Sequence, residues 1–465
     1  MAGPEQNPRI SLVTRLQTRD GTLNKDSYMK NFMRDGTDEG PMALKRPGLT
    51  TFAATSRAGG QAMFNFNGVP YMIQGDTITN LVTFVGALLP NVGTAGLPMS
   101  TFVNVQAGTV AIKNTERAWL FTVATNTVVQ VTNANYPAAT VPGLVYLDGT
   151  YYVCDTVGNV YGSALQDFTT WTALNFIQTD AGQGQPLAIN RYLNYVVVLS
   201  DRGTQLFYDA AGPSPGSPLA AVTNASFLTG CVAGYSPQSN NDTLIWLSRN
   251  QTHGRSVTIF NGLQMQVVST PAVDKILDTS TLVGLTSLCI RISGNSLYIL
   301  NLPDLGFSLV YDFTFNDWYV WTSYRGGVDY VFDAVAATDT GSTTYLLSGY
   351  TSKIWSMSLN NVTDSGLAIN CFIRTDEVDG RIINYKFLTA MYLIADTVGA
   401  TIAMRYSNDD CQTFSAWTNI DLSSPRKMVR KLGKFRHRTF EFQFQSSTQL
   451  RLEAAELDMI GLGNY

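Results

Sequence analysis

Tyr152-Val153-Cys154-Asp155-Thr156-Val157-Gly158-Asn159-Val160-Tyr161 holds, in ten residues, the grammar of the whole chain. An apolar run meets a short polar turn containing glycine, then a second apolar run begins. This is the pattern of a tight antiparallel hairpin. It recurs as Val196 to Leu199 through Asp201-Arg202-Gly203 to Leu206-Phe207-Tyr208. It recurs again as Leu297 to Leu300 through Pro303 and Gly306 to Leu309-Val310-Tyr311, and as Tyr345-Leu346-Leu347 through Gly349 to Ile354-Trp355. Equivalent runs centre on Ile78, Val128, Val160, Leu206, Val257, Leu309 and Ile354. Spacings of roughly 30 to 50 residues are the period of one small sheet per repeat. About seven such sheets close radially, so the spacing predicts an all-β protein built on a β-propeller, with six blades and a divergent insertion fitting nearly as well as seven.

Composition agrees. Only 14% of the 465 residues are charged, and Thr, Asn, Ser and Gly, which suit strands and turns, fill the shortfall. Helical periodicity is nearly confined to Pro271 to Leu277, with Asp274 and Lys275 facing outward. The net charge of −4 argues against a general nucleic-acid binder. Five scattered cysteines without a Cys-x-x-Cys pair predict free thiols. The start Met1 to Gln6 lacks a basic segment followed by an apolar one, and no apolar run is long enough to span a bilayer, so neither secretion nor a membrane span is expected.

Three regions are expected. Residues 1–50 mix charges of both signs (Arg15, Arg19, Asp20, Lys25, Asp26, Lys30, Arg34, Asp35, Asp38, Glu39) with Leu12, Val13, Leu16, Tyr28, Phe32 and Met33, the composition of an extended arm that docks. Residues 51–364 carry the propeller repeats, interrupted by loops at 211–218 and 236–242. From 365 to 465 strands lengthen and alternate, as in Phe440-Glu441-Phe442-Gln443-Phe444, and Phe387 to Ile394 reads as a core strand. These form a small β-sandwich.

Reactive constellations are sparse. His253 and His437 have no plausible partner nearby in sequence, and His437 lies among cations that favour its neutral form. There is no nucleophile elbow, phosphate-binding loop or metal-type spacing; Gly182-Gln183-Gly184 lacks a following helix. Asp376, Glu377 and Asp379 read as a solvated turn rather than a cation site. No catalytic residue, cofactor or metal is assigned. The stretch Ser407-Asn408-Asp409-Asp410-Cys411-Gln412-Thr413 through Trp417 resembles the Asp-box of sialidases, with Cys411 where glycine is usual. That box is in the first instance a folded turn. A single copy supports no sialidase, which would also need an arginine cluster and a tyrosine nucleophile.

The strongest charge signal is seven cations within thirteen residues: Arg426, Lys427, Arg430, Lys431, Lys434, Arg436 and Arg438. Three readings stay open: a salt-bridge surface for a neighbouring subunit or protein, a phosphate-facing DNA contact, or a solvated strand edge. Met428, Val429, Leu432, Phe435 and Phe440 show that the segment also packs.

Three stretches together resemble the tail hub or nozzle proteins of short-tailed bacteriophages, the packaged-DNA stabilisation proteins. They are Arg19-Asp20-Gly21 through Asp26 and Asn31 to Lys45-Arg46-Pro47-Gly48-Leu49; Val310-Tyr311-Asp312 through Asn316-Asp317-Trp318 to Trp321; and Tyr406-Ser407 through Asp409 to Trp417, followed by Leu432 to Phe440. The family supplies no catalytic residue. The resemblance implies a virion protein assembled in the host cytoplasm, a homohexameric ring beneath the portal and its head–tail adaptor. The ring would continue the DNA channel, retain the genome, conduct double-stranded DNA without sequence specificity during ejection, and anchor a needle or plug and tail fibres or spikes. Two rivals remain: a carbohydrate-binding or glycan-cleaving propeller of the tail, and a monomeric peptide-binding scaffold.

Overall fold

A computed structural model of the chain describes residues 8–461 except 18–20, 22, 38, 56–58, 92–101, 214, 251–253, 293, 342 and 381–383, and omits the side chains of 223–226. Arg19, Asp20, Asp38 and His253 therefore lie outside the described residues.

The hairpin grammar becomes seven blades among the described residues, six of them separate sheets of four or five strands and one the start of a larger sheet. They span 60–88, 102–130, 145–178, 186–227, 230–267 and 286–325, with the seventh made from 336–357 and 49–54; we number them blades 1 to 7. Within each blade successive strands pair antiparallel. Two of the turns show why the sequence folds this way. Asn67-Gly68 and Asp148-Gly149 each place both central residues at positive φ (49° and 83°, 47° and 91°), the backbone that a two-residue hairpin demands. Asn and Asp tolerate it and Gly is indifferent to it.

Six of the seven neighbouring pairs of blades have their own apolar cluster, and blades 6 and 7 pack within the one they share with the sandwich. Ile73, Ile112 and Phe121 lie between blades 1 and 2; Tyr152, Ile189 and Phe207 lie between blades 3 and 4. The interface of blades 5 and 6 is filled by the helix Pro271–Thr279, which buries Ala272, Val273, Ile276 and Leu277 and is capped by Thr270. Blade 7 closes the ring: its outer strand Leu49–Ala54 comes from the N-terminal side and pairs with Lys353–Met357.

The remaining strands form two facing sheets. One has Phe32–Gly36, Pro41–Lys45, Arg451–Gly461 and Lys386–Ala395 in order, with Arg9–Ser11 added to Arg451–Gly461 and the short strands Met428–Arg430 and Lys434–Phe435 at the far edge. The other runs Leu367–Arg374, Thr439–Ser446, Thr401–Ser407, Thr418–Asp421. Residues 28–45 thus supply strands to the same sheets as residues 367–461. Tyr28–Lys30 also lies between Leu367–Arg374 and the outer strand of blade 6, Asp317–Arg325, so sandwich and propeller share one continuous sheet. Their apolar cores are continuous too, through Trp321, Trp355, Met29, Phe32, Ile373 and Phe442.

Candidate functional site

Two chain segments cross between the lobes side by side. The outward one is Lys45-Arg46-Pro47-Gly48, which leaves the strand Pro41–Lys45 and enters Leu49–Ala54. Pro47 offers no N–H to a sheet ladder. Gly48 runs so close to the returning segment that a Cβ there would sit 2.1 Å from the Thr363 carbonyl oxygen. The segments are tied by Gly48 N–H to Asn361 O (2.6 Å), Ser365 N–H to Leu49 O (2.6 Å) and Leu49 N–H to the Asp364 carboxylate (3.1 Å).

Arg46 is fully buried, and all five of its N–H donors are used. Nε reaches Asn31 Oδ1 (2.9 Å). Nη1 reaches Pro47 O (2.8 Å) and Asp364 Oδ1 (3.1 Å), and Nη2 reaches Thr322 O (2.7 Å) and Asp364 Oδ2 (2.5 Å). One guanidinium therefore joins the N-terminal strands, the crossover and blade 6. Lys45, equally buried, donates to the carbonyls of Val362, Ser446 and Thr448; burial lowers its pKa. A buried ion pair left half-made costs several kcal/mol, so it fixes one arrangement of the lobes.

The tryptophans of the second stretch belong to the same framework. Trp321 Nε1 donates to Phe32 O (3.2 Å), and Trp318 Nε1 to Val268 O (2.9 Å) beside the helix. Within the sandwich, Glu441 is fully buried between Arg374 (2.6 Å) and Arg405 (2.5 Å), a pairing that sequence spacing did not reveal.

The box at 407–417 is consumed by its own turn. Ser407 Oγ donates to Asp409 Oδ1 (2.7 Å) and accepts from Cys411 N–H (3.0 Å), and Thr413 N–H donates to Asp409 Oδ1 (2.9 Å). The Thr413 hydroxyl bond, its N–H and Ser407 hold the Asp409 carboxyl down at about 2. Asp410 and Cys411 both have positive φ, 59° and 62°, which is why glycine is usual at the second. Trp417 is 39% exposed and stacks on Arg405 at 4.5 Å rather than packing beneath the turn. Asp410 pairs with Lys25 (2.6 Å).

The cationic run divides. Arg438 is buried among Tyr406, Phe435 and Phe440, donating to Asn408 Oδ1 and Leu432 O, and burial pulls its pKa down to about 10. Lys427 is buried and donates to Thr397. Arg426, Arg430, Lys431, Lys434 and Arg436 are exposed, and none makes an ion pair with a described residue. They lie along the edge strands of the sandwich beside exposed Tyr385, Phe387 and Ile460. Lys434 and Arg436 lie over the Tyr385 ring at 5.4 and 4.5 Å. His437 does have a partner: Glu377 stands 3.6 Å away, brought across by the bridge Val378 to Arg438. Asp376, Glu377 and Asp379 are exposed, and none of the five cysteines is in a disulfide.

The propeller axis holds a cavity of about 320 Å³ lined by six of the blades, including Gln61, Phe102, Asn190, Gln238, Ser287 and Ala336, and by Pro142 to Leu144 leading into blade 3, without a charged side chain. Phe102 of blade 2 stacks on Tyr235 of blade 5 across it, centroids 6.2 Å apart and planes at 9°. The bore has room for about ten waters at ~30 Å³ each.

A seven-bladed propeller that shares a sheet and an apolar core with a sandwich defines a β-propeller protein. The family model described as bacteriophage P22 Gp10, beta-propeller, matches residues 28–349, and the chain belongs to that family: it is a phage packaged-DNA stabilisation protein of the tail. The matched span contains the Lys45–Gly48 crossover, Trp318 and Trp321, and stops before the box at 407–417 and the cationic edge. No curated protein matches the chain. Among solved structures, it is similar to the N-terminal domain of Nup159 (12% identity, 71% of this chain and 99% of that one, TM-score 0.40). It is also similar to the extracellular domain of the putative one component system BT4673 from B. thetaiotaomicron (9% identity, 91% and 62%, TM-score 0.44) and to the computationally designed Ika8 protein (9% identity, 76% and 99%, TM-score 0.38). No helix of the described residues is long and apolar enough to cross a membrane.

Proposed function

We propose that this protein is a nozzle subunit: a homohexamer below the portal and adaptor that extends the DNA channel, holds the packaged genome and lets it out. The observation that carries this reading is the pairing of a two-lobed block, joined by a shared sheet and core, with a narrow axial bore. A duplex whose major groove alone is about 12 Å wide cannot enter a side-chain-lined space holding some ten waters. DNA moving past such a protein must run between copies, which requires a ring. The five exposed cations at the sandwich edge, interleaved with Tyr385, Phe387 and Ile460, have the composition of a protein contact. Exposed apolar side chains beside a phosphate backbone would stay uncovered, so we assign this edge to a neighbouring subunit, the adaptor or a tail appendage rather than to DNA.

Cryo-electron microscopy of the tail vertex tests the ring, and removal of the gene tests retention. A six-fold ring containing this chain, with particles that package and then lose DNA when it is missing, is the expected result. Its absence from the vertex, or normal genome retention without it, overturns the reading.

A further inference from the structure

Arg325 ends the outer strand of blade 6, before the turn Gly326-Gly327 that reverses the chain into Val328–Val331. Its side chain, 34% exposed, lines a cleft of about 600 Å³ between blades 6 and 7 with Pro303, Gly306, Gly326, Tyr330, Val331 and Tyr350. The Tyr330 ring lies 4.9 Å from the guanidinium carbon. No described residue hydrogen-bonds that guanidinium. The nearest carboxylate, Asp333, is 3.8 Å away, and its oxygens accept from Ser348 (2.5 Å) and Thr351 (2.9 Å) instead. Arg325 Nε is buried without any partner. Arg46, Arg374 and Arg438, by contrast, are all bonded to protein acceptors.

The Nη groups of Arg325 donate no hydrogen bond to a described residue and keep only the 3.8 Å ion pair to Asp333, so on the tyrosine face they present a flat fork that matches a planar oxyanion. Asp333 beneath it disfavours a dianion, so a single carboxylate suits the site better than a phosphate. Tyr330 and Tyr350 are 44% and 37% exposed, and neither hydroxyl has a described partner; a small free carboxylate would leave both rings in water. A loop that delivers its carboxylate to Arg325 also covers the rings, and Tyr and Arg are the residues on which protein contacts concentrate their energy. We propose that the Arg325 cleft is a docking site for an aspartate or glutamate side chain on an exposed loop of a partner protein.

Arginine modification by phenylglyoxal, read peptide by peptide by mass spectrometry on the native full chain, tests this. The probes are an acetylated and amidated Ala-Glu-Ala tripeptide, its Ala-Gln-Ala counterpart, and sodium acetate. The glutamate peptide is expected to slow modification of Arg325 by roughly threefold or more relative to the glutamine peptide. Arg202, whose side chain is 75% exposed, should react at an unchanged rate. Calorimetric titration of Arg325→Gln and Arg325→Lys should show binding of the glutamate peptide lost and weakened, respectively. Protection by acetate equal to that by the peptide would reassign the cleft to small anions and overturn the proposal. Equal effects of the two peptides, or equal protection of Arg202, would remove it altogether.

Discussion

Replacing Arg46 with methionine keeps most of the side-chain length and removes all five hydrogen bonds at the crossover. Asp364 then retains, of the bonds described above, only the Leu49 N–H, inside a site from which water is excluded. The carbonyls of Pro47 and Thr322 lose their guanidinium donors, while Asn31 Oδ1 keeps the Thr322 N–H at 2.8 Å. Breaking a buried pair by removing one partner costs about 3–5 kcal/mol, and we expect Arg46→Met to fall in that range. Asp364→Leu should cost a similar amount, by stranding the guanidinium. The double variant removes both charges together and should lose less than the sum of the singles by about 2 kcal/mol or more. Urea denaturation followed by tryptophan fluorescence suits the measurement, since Trp321 lies 5.9 Å from Arg46. An unchanged slope with a lowered midpoint identifies a loss of stability. A single-variant cost below about 1 kcal/mol, or additivity within about 0.5 kcal/mol, would refute the idea that this pair locks the lobes.

Other outcomes follow from the same geometry. Lys113 is fully buried against Val141 O and Phe102, and burial brings its pKa down to about 7. Between that value and 10.5 the unfolded chain holds the extra proton, so the contribution of Lys113 to stability should rise with pH across the window by an amount on the order of 5 kcal/mol, while the buried thiols of Cys154, Cys231, Cys289 and Cys371, whose pKa burial raises, act in the opposite direction. The difference in urea midpoint between the wild type and Lys113→Met should move in favour of the wild type from the low end of the window to the high end, and a difference that does not change with pH would be inconsistent with this account. Gly48→Ala drives a methyl group into the Thr363 carbonyl and should cost more than about 2 kcal/mol; wild-type solubility and midpoint would contradict it. Reversing Arg430, Lys431, Lys434 and Arg436 to glutamate should leave the midpoint within about 1 kcal/mol, because all four are exposed, while abolishing incorporation into particles. If the edge gripped DNA instead, the wild-type subunit would bind duplex with a log–log salt slope near −0.9 per phosphate contacted, which a filter assay would detect.

The blade repeat was legible because each hairpin carries its own turn chemistry. Of the seven run centres read from the sequence, Ile78, Val160, Leu206, Val257, Leu309 and Ile354 fall on the third strand of a blade, and Val128 on a fourth strand. The helix at Pro271 was legible for the same local reason. The crossover was not. Lys45-Arg46-Pro47-Gly48 was visible as a motif, but Asp364 lies 318 positions away with no spacing rule to join them. Charge alone could not sort Arg438, sealed under aromatic rings, from Arg436 two residues earlier, because the edge strand Lys434–Phe435 ends before either and leaves no alternation to read. Glu377 beside His437 and Glu441 between two arginines were hidden likewise, since cross-strand partners are fixed by register rather than by proximity in the chain.

The strand Leu49–Ala54 leaves the ribosome early and must wait for Lys353–Met357 before its blade exists. At about 5–20 residues per second, the roughly 300 intervening residues take some 15–60 s to synthesise. Pro41–Lys45, already paired with Phe32–Gly36 as a hairpin, waits longer still for Arg451–Gly461. For that interval a nascent chain carries unpaired strands on its leading end, and its last hundred residues decide whether the first fifty find their places. A stop codon that removes Arg451–Gly461 would thus deprive Arg9–Ser11 and Pro41–Lys45 of a neighbour, far in sequence from the lesion.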